Sequence, residues 1–343
     1  MSTTRTQPAQ AGGPAAGRPG GGPPAPGRAP VPRRSNLRNR LLRFDMRYMP
    51  YVMIAPFFLL FAAFGVFPLI FNAVVAFRHW RLDDPDLTGW AGMENFSRLI
   101  ADEDFWNALY NTLGIFVLST VPQLLIALVV AALLNRHLRG KTWWRVGILL
   151  PYVTPLTAST MVFSTIVSRD YGVANWVLGL LGIGGGDNPI DWRADKLHSW
   201  IAIATMVNWK WIGYNALLYL AAMQSIPRDV YEASAIDGAG PNRQLWQITV
   251  PMIRPVLLFT IVVSTIGGLQ LFTEPMLFDL NSQSATGGPA GEWQTIAQLI
   301  YKVGWKDLNL GYAAAMAMAL FVIVVVVTGI NTLLTNRIGG GRR

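Results

Sequence analysis

Asn208, Trp211 and Asn215 stand at i, i+3 and i+7 within one apolar stretch. That spacing puts an indole and two amides on one face of a helix. An aromatic ring can pack on the C–H face of a sugar while amides pair with its hydroxyls, so the set could bind a hydroxylated ligand. Lys210 and Tyr214, one i, i+4 step apart, fall on another face. A later apolar stretch adds Gln270, Phe272 and Glu274. Glu274 precedes Pro275 near the end of that stretch, where an interfacial position is expected. A plainer reading stays open, in which the amides bond between helices and the rings only pack. Thr154, Thr157, Ser159 and Thr160 are expected to bond back to their own helix.

Covalent and metal chemistry find little support. The chain has no cysteine, which removes disulfides, thiolate metal sites and thiol nucleophiles together. His79, His137 and His198 are scattered, and none stands at metal-ligand spacing from another. There is no H-E-x-x-H pair. Gly140-Lys141-Thr142 matches the end of a nucleotide-binding glycine loop, but Asn135 occupies its first glycine position. No catalytic residue, metal or cofactor is therefore assigned to the chain.

The elements that must position these residues are membrane helices. Of 343 residues 52% are hydrophobic and only 14% charged, against about a quarter charged in soluble domains. Apolar runs lie at about 51–77, 112–134, 146–167, 199–223, 255–278 and 311–335. Each has roughly the 20 residues that cross a hydrocarbon core about 30 Å thick. Backbone polar groups must be satisfied within lipid, so the runs read as about six helices of an all-α membrane protein. Pro68, Pro122 and Pro155 are expected to kink or end turns.

Charge sets the orientation. With the N-terminus inside, the segments 1–49, 135–145, 224–254 and 336–343 hold 9, 4, 3 and 3 Lys or Arg, 19 together. The opposite segments hold 3, 3 and 2. This bias places both termini in the cytoplasm. The net charge of +9 is thus a topology signal, and no nucleic-acid partner is expected. Residues 1–49 read as a disordered basic Pro/Gly-rich arm, within which 1–36 lack any periodicity. Arg33, Arg34, Arg38, Arg40, Arg43 and Arg47 could touch anionic membrane lipid. A transmembrane domain of 50–336 and a cytoplasmic tail of 337–343 follow.

The inside loop at 225–254 is too polar to span and too patterned for a linker. Pro227 suits a first helical turn and Asp229 its positive end. Gly238, Gly240 and Pro241 stop that helix, a second runs from about Asn242 to Thr249, and Pro251 is expected to break it. Ala235, Gly238 and Ala239 give a small-residue face, and Tyr231 and Trp246 add large contact groups. Such a hairpin either docks a partner or lies on the membrane surface.

Here the chain resembles the permease subunits of binding-protein-dependent ATP-binding-cassette importers, in the maltose-type sugar branch. Their EAA loop reads E-A-A, three residues, G, nine residues, then I-x-L-P. Glu232, Ala233 and Ser234 stand at E-A-A, Gly238 follows, and Ile248, Thr249, Val250 and Pro251 close the pattern. Ser234 and Val250 are the departures. The resemblance covers about 50–335, with AIDGA at 235–239 and GYAAAMAMALF at 311–321 pointing to the sugar branch. It implies a type I importer permease fold whose EAA loop docks on a separate ATPase. Glu232, Ala233, Ser234, Asp237, Gly238, Ile248 and Pro251 would be the ATPase-coupling residues. Asn208, Trp211, Asn215, Tyr214, Gln270 and Phe272 are the candidate substrate pathway. The implied partners are a second permease chain, two ATPase subunits and an extracytoplasmic sugar-binding protein, at a bacterial cytoplasmic membrane. The implied cargo is a di- or oligosaccharide, cellobiose-like from the stretch Gly267–Pro275. An ion-coupled carrier, or import of a non-sugar such as glycerol phosphate, is the alternative. A carrier would leave the EAA pattern unexplained and lacks the usual chains of intramembrane acids.

Overall fold

The computed structural model describes residues 36–84, 86, 88–136, 139–183, 189–279 and 287–339. Arg33, Arg34, His137, Asp187 and the tail from 340 lie outside the described residues, as does the arm up to residue 35. The chain divides into two units, one ending at Ala62 and one beginning at Ala63.

The first unit holds α1, Asn36–Phe61. Residues 36–49, expected to belong to a structureless arm, are therefore helical. Leu37, Leu41 and Leu42 carry helix-forming character into the arginine-rich stretch, and nothing between them breaks a helix.

In the second unit, a wide π turn at Ala62–Val66 leads into α2, Phe67–Ala76. Pro68 sits in the first turn of α2, where its missing N–H costs nothing. A short antiparallel pair, β1 Arg78–His79 and β2 Gly89–Trp90, closes the loop after it. Then come α3, Glu94–Ala101, and α4, Glu103–Asn135. Asp102 caps α4 by accepting from the backbone N–H groups of Asp104 and Phe105. The helix runs on through Pro122. The expected interruption there does not occur, because neighbouring helices and side chains hold a membrane helix across a proline.

The stretch 146–167, expected as one span, is two helices. α5, Lys141–Val153, and α6, Leu156–Ile166, meet at 92°. Thr154 before Pro155 is extended (φ −65°, ψ 141°), since the proline ring excludes the helical region from its predecessor. The short α7, Val173–Leu180, precedes α8, Lys196–Gln224.

After α8 come α9, Arg228–Ile236, α10, Pro241–Gln244, a π turn at Leu245–Thr249, and α11, Val250–Met252. Pro251 does not break this run. It stands in the first turn of α11, just after the widened π turn, and the break falls at Ile253. α12 follows at Arg254–Leu269, then α13, Thr273–Met276, and α14, Ile296–Tyr301. A third π turn, Lys302–Lys306, leads to α15, Leu310–Gly339.

Among the described residues four helical stretches are long and apolar enough to cross a membrane: Tyr48–Ala76, Glu103–Asn135, Arg254–Met276 and Leu310–Leu333. The bent pair α5–α6 would be a fifth. α8, with 29 residues, is long enough at about 43 Å but carries Asn208, Lys210 and Asn215. It affords them by sitting inside the bundle. Ile203, Ala216 and Tyr219 are fully buried, Ala216 and Tyr219 in a cluster with Ala127 and Ala131 of α4 and Ile203 in one with Ile115 of α4. Small residues at i and i+4 on α4 let the two axes approach.

Candidate functional site

Two broken helices meet α8 around one cavity. The first break is the elbow between α5 and α6. Buried Lys210, on α8, donates from Nζ to the carbonyl of Thr154 at 2.7 Å and to that of Tyr152 at 3.4 Å. These carbonyls lost their helical partners at the bend, and a charged donor is a strong replacement. The Tyr152 ring stacks on Tyr214 at 4.8 Å and meets Trp211 edge-on at 5.4 Å. Gly213 lets α5 come this close: a Cβ there would stand 1.9 Å from the Ile148 carbonyl oxygen.

The second break separates α12 from α13 at Gln270–Phe272. Irregular backbone at membrane depth is tolerated where it lines a cavity, and such breaks commonly form transporter sites. The cavity beside it holds about 290 Å³. Ser119, Thr120 and Gln123 of α4 line it, with Trp211, Tyr214 and Asn215 of α8. Ser264, Gln270, Phe272, Thr273 and Glu274 complete its polar and aromatic wall. Gln123 donates to the Ser264 hydroxyl at 3.3 Å.

Of the residues expected on the substrate pathway, Trp211, Tyr214, Asn215, Gln270 and Phe272 line this cavity. Trp211 and Asn215 share it as expected, but Asn208 does not line it. The side-chain oxygen of Asn208 is buried without a protein partner. Tyr214, assigned to another face, does line the cavity, because 211, 214 and 215 form the tighter i, i+3, i+4 cluster. Glu274 lies near the end of its apolar stretch, as expected, but it faces inward. It is buried, 4% exposed, in the cavity wall, since the break at 270–272 folds α13 back against α6 and α8. Ser119, Thr120 and Gln123 were missed, although three polar residues within five positions of an apolar run were a visible signal. Thr154, Ser159 and Thr160 do bond back to nearby carbonyls of their own segment.

The hairpin lies at the other functional end. α9 buries none of its residues, and Glu232, Ala233, Asp237 and Gly238 are exposed, with Ile236 87% exposed. α9 ends in a Schellman-type turn. The Ala239 N–H donates to the Ser234 carbonyl at 2.9 Å, with Gly238 at φ +78°. A Cβ on Gly238 would meet nothing within 4 Å, so its surface is open. Ser234, the departure from the E-A-A pattern, has a task of its own. Its hydroxyl accepts from Gln244 Nε2 at 3.0 Å and donates to the Tyr231 carbonyl at 2.8 Å. Tyr231 reaches the Thr249 hydroxyl at 3.0 Å. Ile248 is half-buried and Pro251 exposed on the returning limb. The hairpin roots in an apolar cluster of Leu134, Met223, Ile226 and Ile253.

Apolar helices around an α8 core, broken at a polar cavity and ending in a partly exposed helical hairpin, define a multi-pass membrane permease. Comparison with known proteins refines that class. The family model described as "Binding-protein-dependent transport system inner membrane component" matches residues 112–340. The lactose transport system permease protein LacF of Rhizobium radiobacter is 35% identical over 280 residues, covering 81% of this chain and 91% of that protein. The arabinooligosaccharides transport system permease protein AraP of Halalkalibacterium halodurans is 30% identical over 294 residues, covering 84% and 89%. A solved bacterial ABC transporter involved in import of the acidic polysaccharide alginate shares the fold, with TM-score 0.72 at 23% identity, over 87% of this chain and 99% of that one. The chain belongs to the binding-protein-dependent transport system inner membrane components.

Proposed function

We propose that this chain is one permease subunit of an ATP-driven sugar importer, with a di- or oligosaccharide as cargo. The observation that carries the reading is the union of a family match over 112–340 with a cavity of sugar-binding composition at two helix breaks. Relatives whose names specify lactose and arabinooligosaccharide transport support the cargo class. Rings at Trp211, Tyr214 and Phe272 offer faces, and Gln123, Asn215 and Gln270 offer amides, for a ligand rich in hydroxyls.

ATP hydrolysis belongs in this proposal to two separate ATPase subunits, which would hold the ATP–Mg. The docking surface is the exposed side of α9, with Glu232, Ala233, Asp237 and Gly238 in contact. Ser234, Ile248 and Pro251 shape the hairpin behind it. ATP-driven approach of two such hairpins, one on each of two permease chains, would move the breaks around the cavity and alternate its access. One hairpin per chain implies a second permease chain, which we take to be a different one. An extracytoplasmic binding protein delivers the sugar. A solved alginate transporter in complex with an alginate-bound periplasmic protein is the precedent among chains of this fold. The Lys and Arg bias puts both termini in the cytoplasm.

The test is ATPase activity of the reconstituted complex with its binding protein, across a panel of neutral sugars that begins with cellobiose. Stimulation by a particular sugar is the expected result. Failure of any ATPase to associate with this chain would defeat the reading.

A further inference from the structure

The cavity has one charged group in its wall, and that group is acidic. Glu274 is 4% exposed, and among the described residues no lysine, arginine or histidine lines the cavity with it. Lys210 on α8 is the nearby cation: it lies outside the lining, its ammonium donates to the Thr154 and Tyr152 carbonyls at the elbow, and its charge is felt by Glu274 in the wall without being presented to the cavity. Every other polar lining group, such as Gln123, Asn215 and Thr273, is neutral.

We infer that this cavity selects uncharged, hydroxyl-rich cargo and rejects anionic sugars, with Glu274 as the specificity-determining residue. This rests on the reading of the cavity as the cargo site. A carboxylate accepts hydrogen bonds through two oxygens, and sugar hydroxyls are the donors that suit it. A uronate or sugar phosphate entering the same space must shed water without meeting a counter-charge, which is costly in a low-dielectric site. It must also stand beside Glu274. An ionised Glu274 repels that anion, and a neutral one offers it no counter-charge. The fold therefore serves relatives that differ in cargo charge. One solved transporter of this fold imports acidic alginate, and a relative from Agrobacterium fabrum carries sn-glycerol-3-phosphate by its name. The sign of the cavity, not the fold, sets the class in this chain.

The experiment uses the complex that purifies with the full chain, in lipid nanodiscs. Two ligands are compared: a neutral disaccharide that stimulates the complex, and its uronate, in which one CH2OH is oxidised to a carboxylate. Binding is followed by tryptophan fluorescence, because Trp211 lines the cavity. The uronate should bind at least about tenfold more weakly to the wild type, since juxtaposed like charges cost more than one decade of affinity. Glu274→Gln keeps the shape and should shrink that gap to about threefold or less, mainly by improving uronate binding. Equal binding of both ligands by the wild type would overturn the inference without touching the sugar reading, and needs no variant. An unchanged gap in an assembled Glu274→Gln complex would overturn the role of Glu274. If neither ligand changes the fluorescence of an assembled complex, the cavity is not the cargo site and the inference falls with that reading.

Discussion

Single side chains act at the middle and at the start of α8. Lys210 is a buried cation used as structure, because it replaces the helical partners that the Thr154–Pro155 bend takes from the Tyr152 and Thr154 carbonyls. Lys210→Met should leave both unpaired and lower stability by about 1–3 kcal/mol. The check is a thermal melt of the purified protein in detergent, where an unchanged midpoint would show that the elbow holds without the ammonium. At the N-terminus of α8, Asp195 caps the helix by accepting from the His198 backbone N–H at 2.9 Å. That bond first, and the His198 ring at 2.7 Å second, hold the Asp195 carboxyl below the ordinary carboxylate value. A lowered folded value means a stabilising contribution that is present at neutral pH and lost as pH falls through it. Asp195→Ala should therefore reduce stability by up to about 1 kcal/mol at pH 7. The difference from wild type should begin to shrink below about pH 4, the ordinary aspartate value, and close only below the lowered value of Asp195 itself. Equal gaps at both pH values would contradict a charge-based cap.

At the scale of elements, close approach and open approach are set by glycines in different ways. Gly213 has no room, and Gly213→Val would drive a side chain into the Ile148 carbonyl and separate α5 from α8. Overpacking of that kind costs about 1–3 kcal/mol. The same melt should fall, and the Tyr152–Tyr214 stack with it. Gly238 has room but an unusual backbone, φ +78°. Gly238→Ala should cost only about 1–2 kcal/mol of left-handed strain and leave assembly intact. Gly238→Trp adds bulk to the proposed docking face and should abolish co-purification of the ATPase while membrane insertion persists. Equal ATPase recovery with both variants would mean that this face is not the contact.

At the scale of the molecule, topology and assembly can be read with one chemistry, because the chain has no cysteine. A single thiol introduced as Ile236→Cys sits at a position 87% exposed. It should react rapidly with a maleimide in the isolated chain and be protected when the ATPase assembles. A membrane-impermeant maleimide on intact cells should miss it but label Trp90→Cys, on the loop assigned to the outside. Labelling of both from outside would reverse the proposed orientation.

Amino-acid order by itself determined what must leave water and what cannot. Long apolar runs, the lysine and arginine bias, and the Glu232-to-Pro251 pattern are local or summed properties, so they were legible without coordinates. The hairpin was equally legible, because Gly238 and Pro241 constrain their own backbones. Tertiary structure decided what those runs do to one another. Pro155 announces a disturbance, but the 92° elbow exists because Lys210 and Gly213, more than fifty residues later, accept its carbonyls and its closeness. Pro122 carries the same local signal and bends no helix into two, since its neighbours hold α4 together. The place of Glu274 near the end of its run was legible, but its burial in the cavity wall was decided by the break at Gln270–Phe272. Helical periodicity assigns residues to a face of a continuous helix, and it loses that power where the helix stops. The cavity lies at two such stops, so its membership was settled by packing between segments distant in sequence.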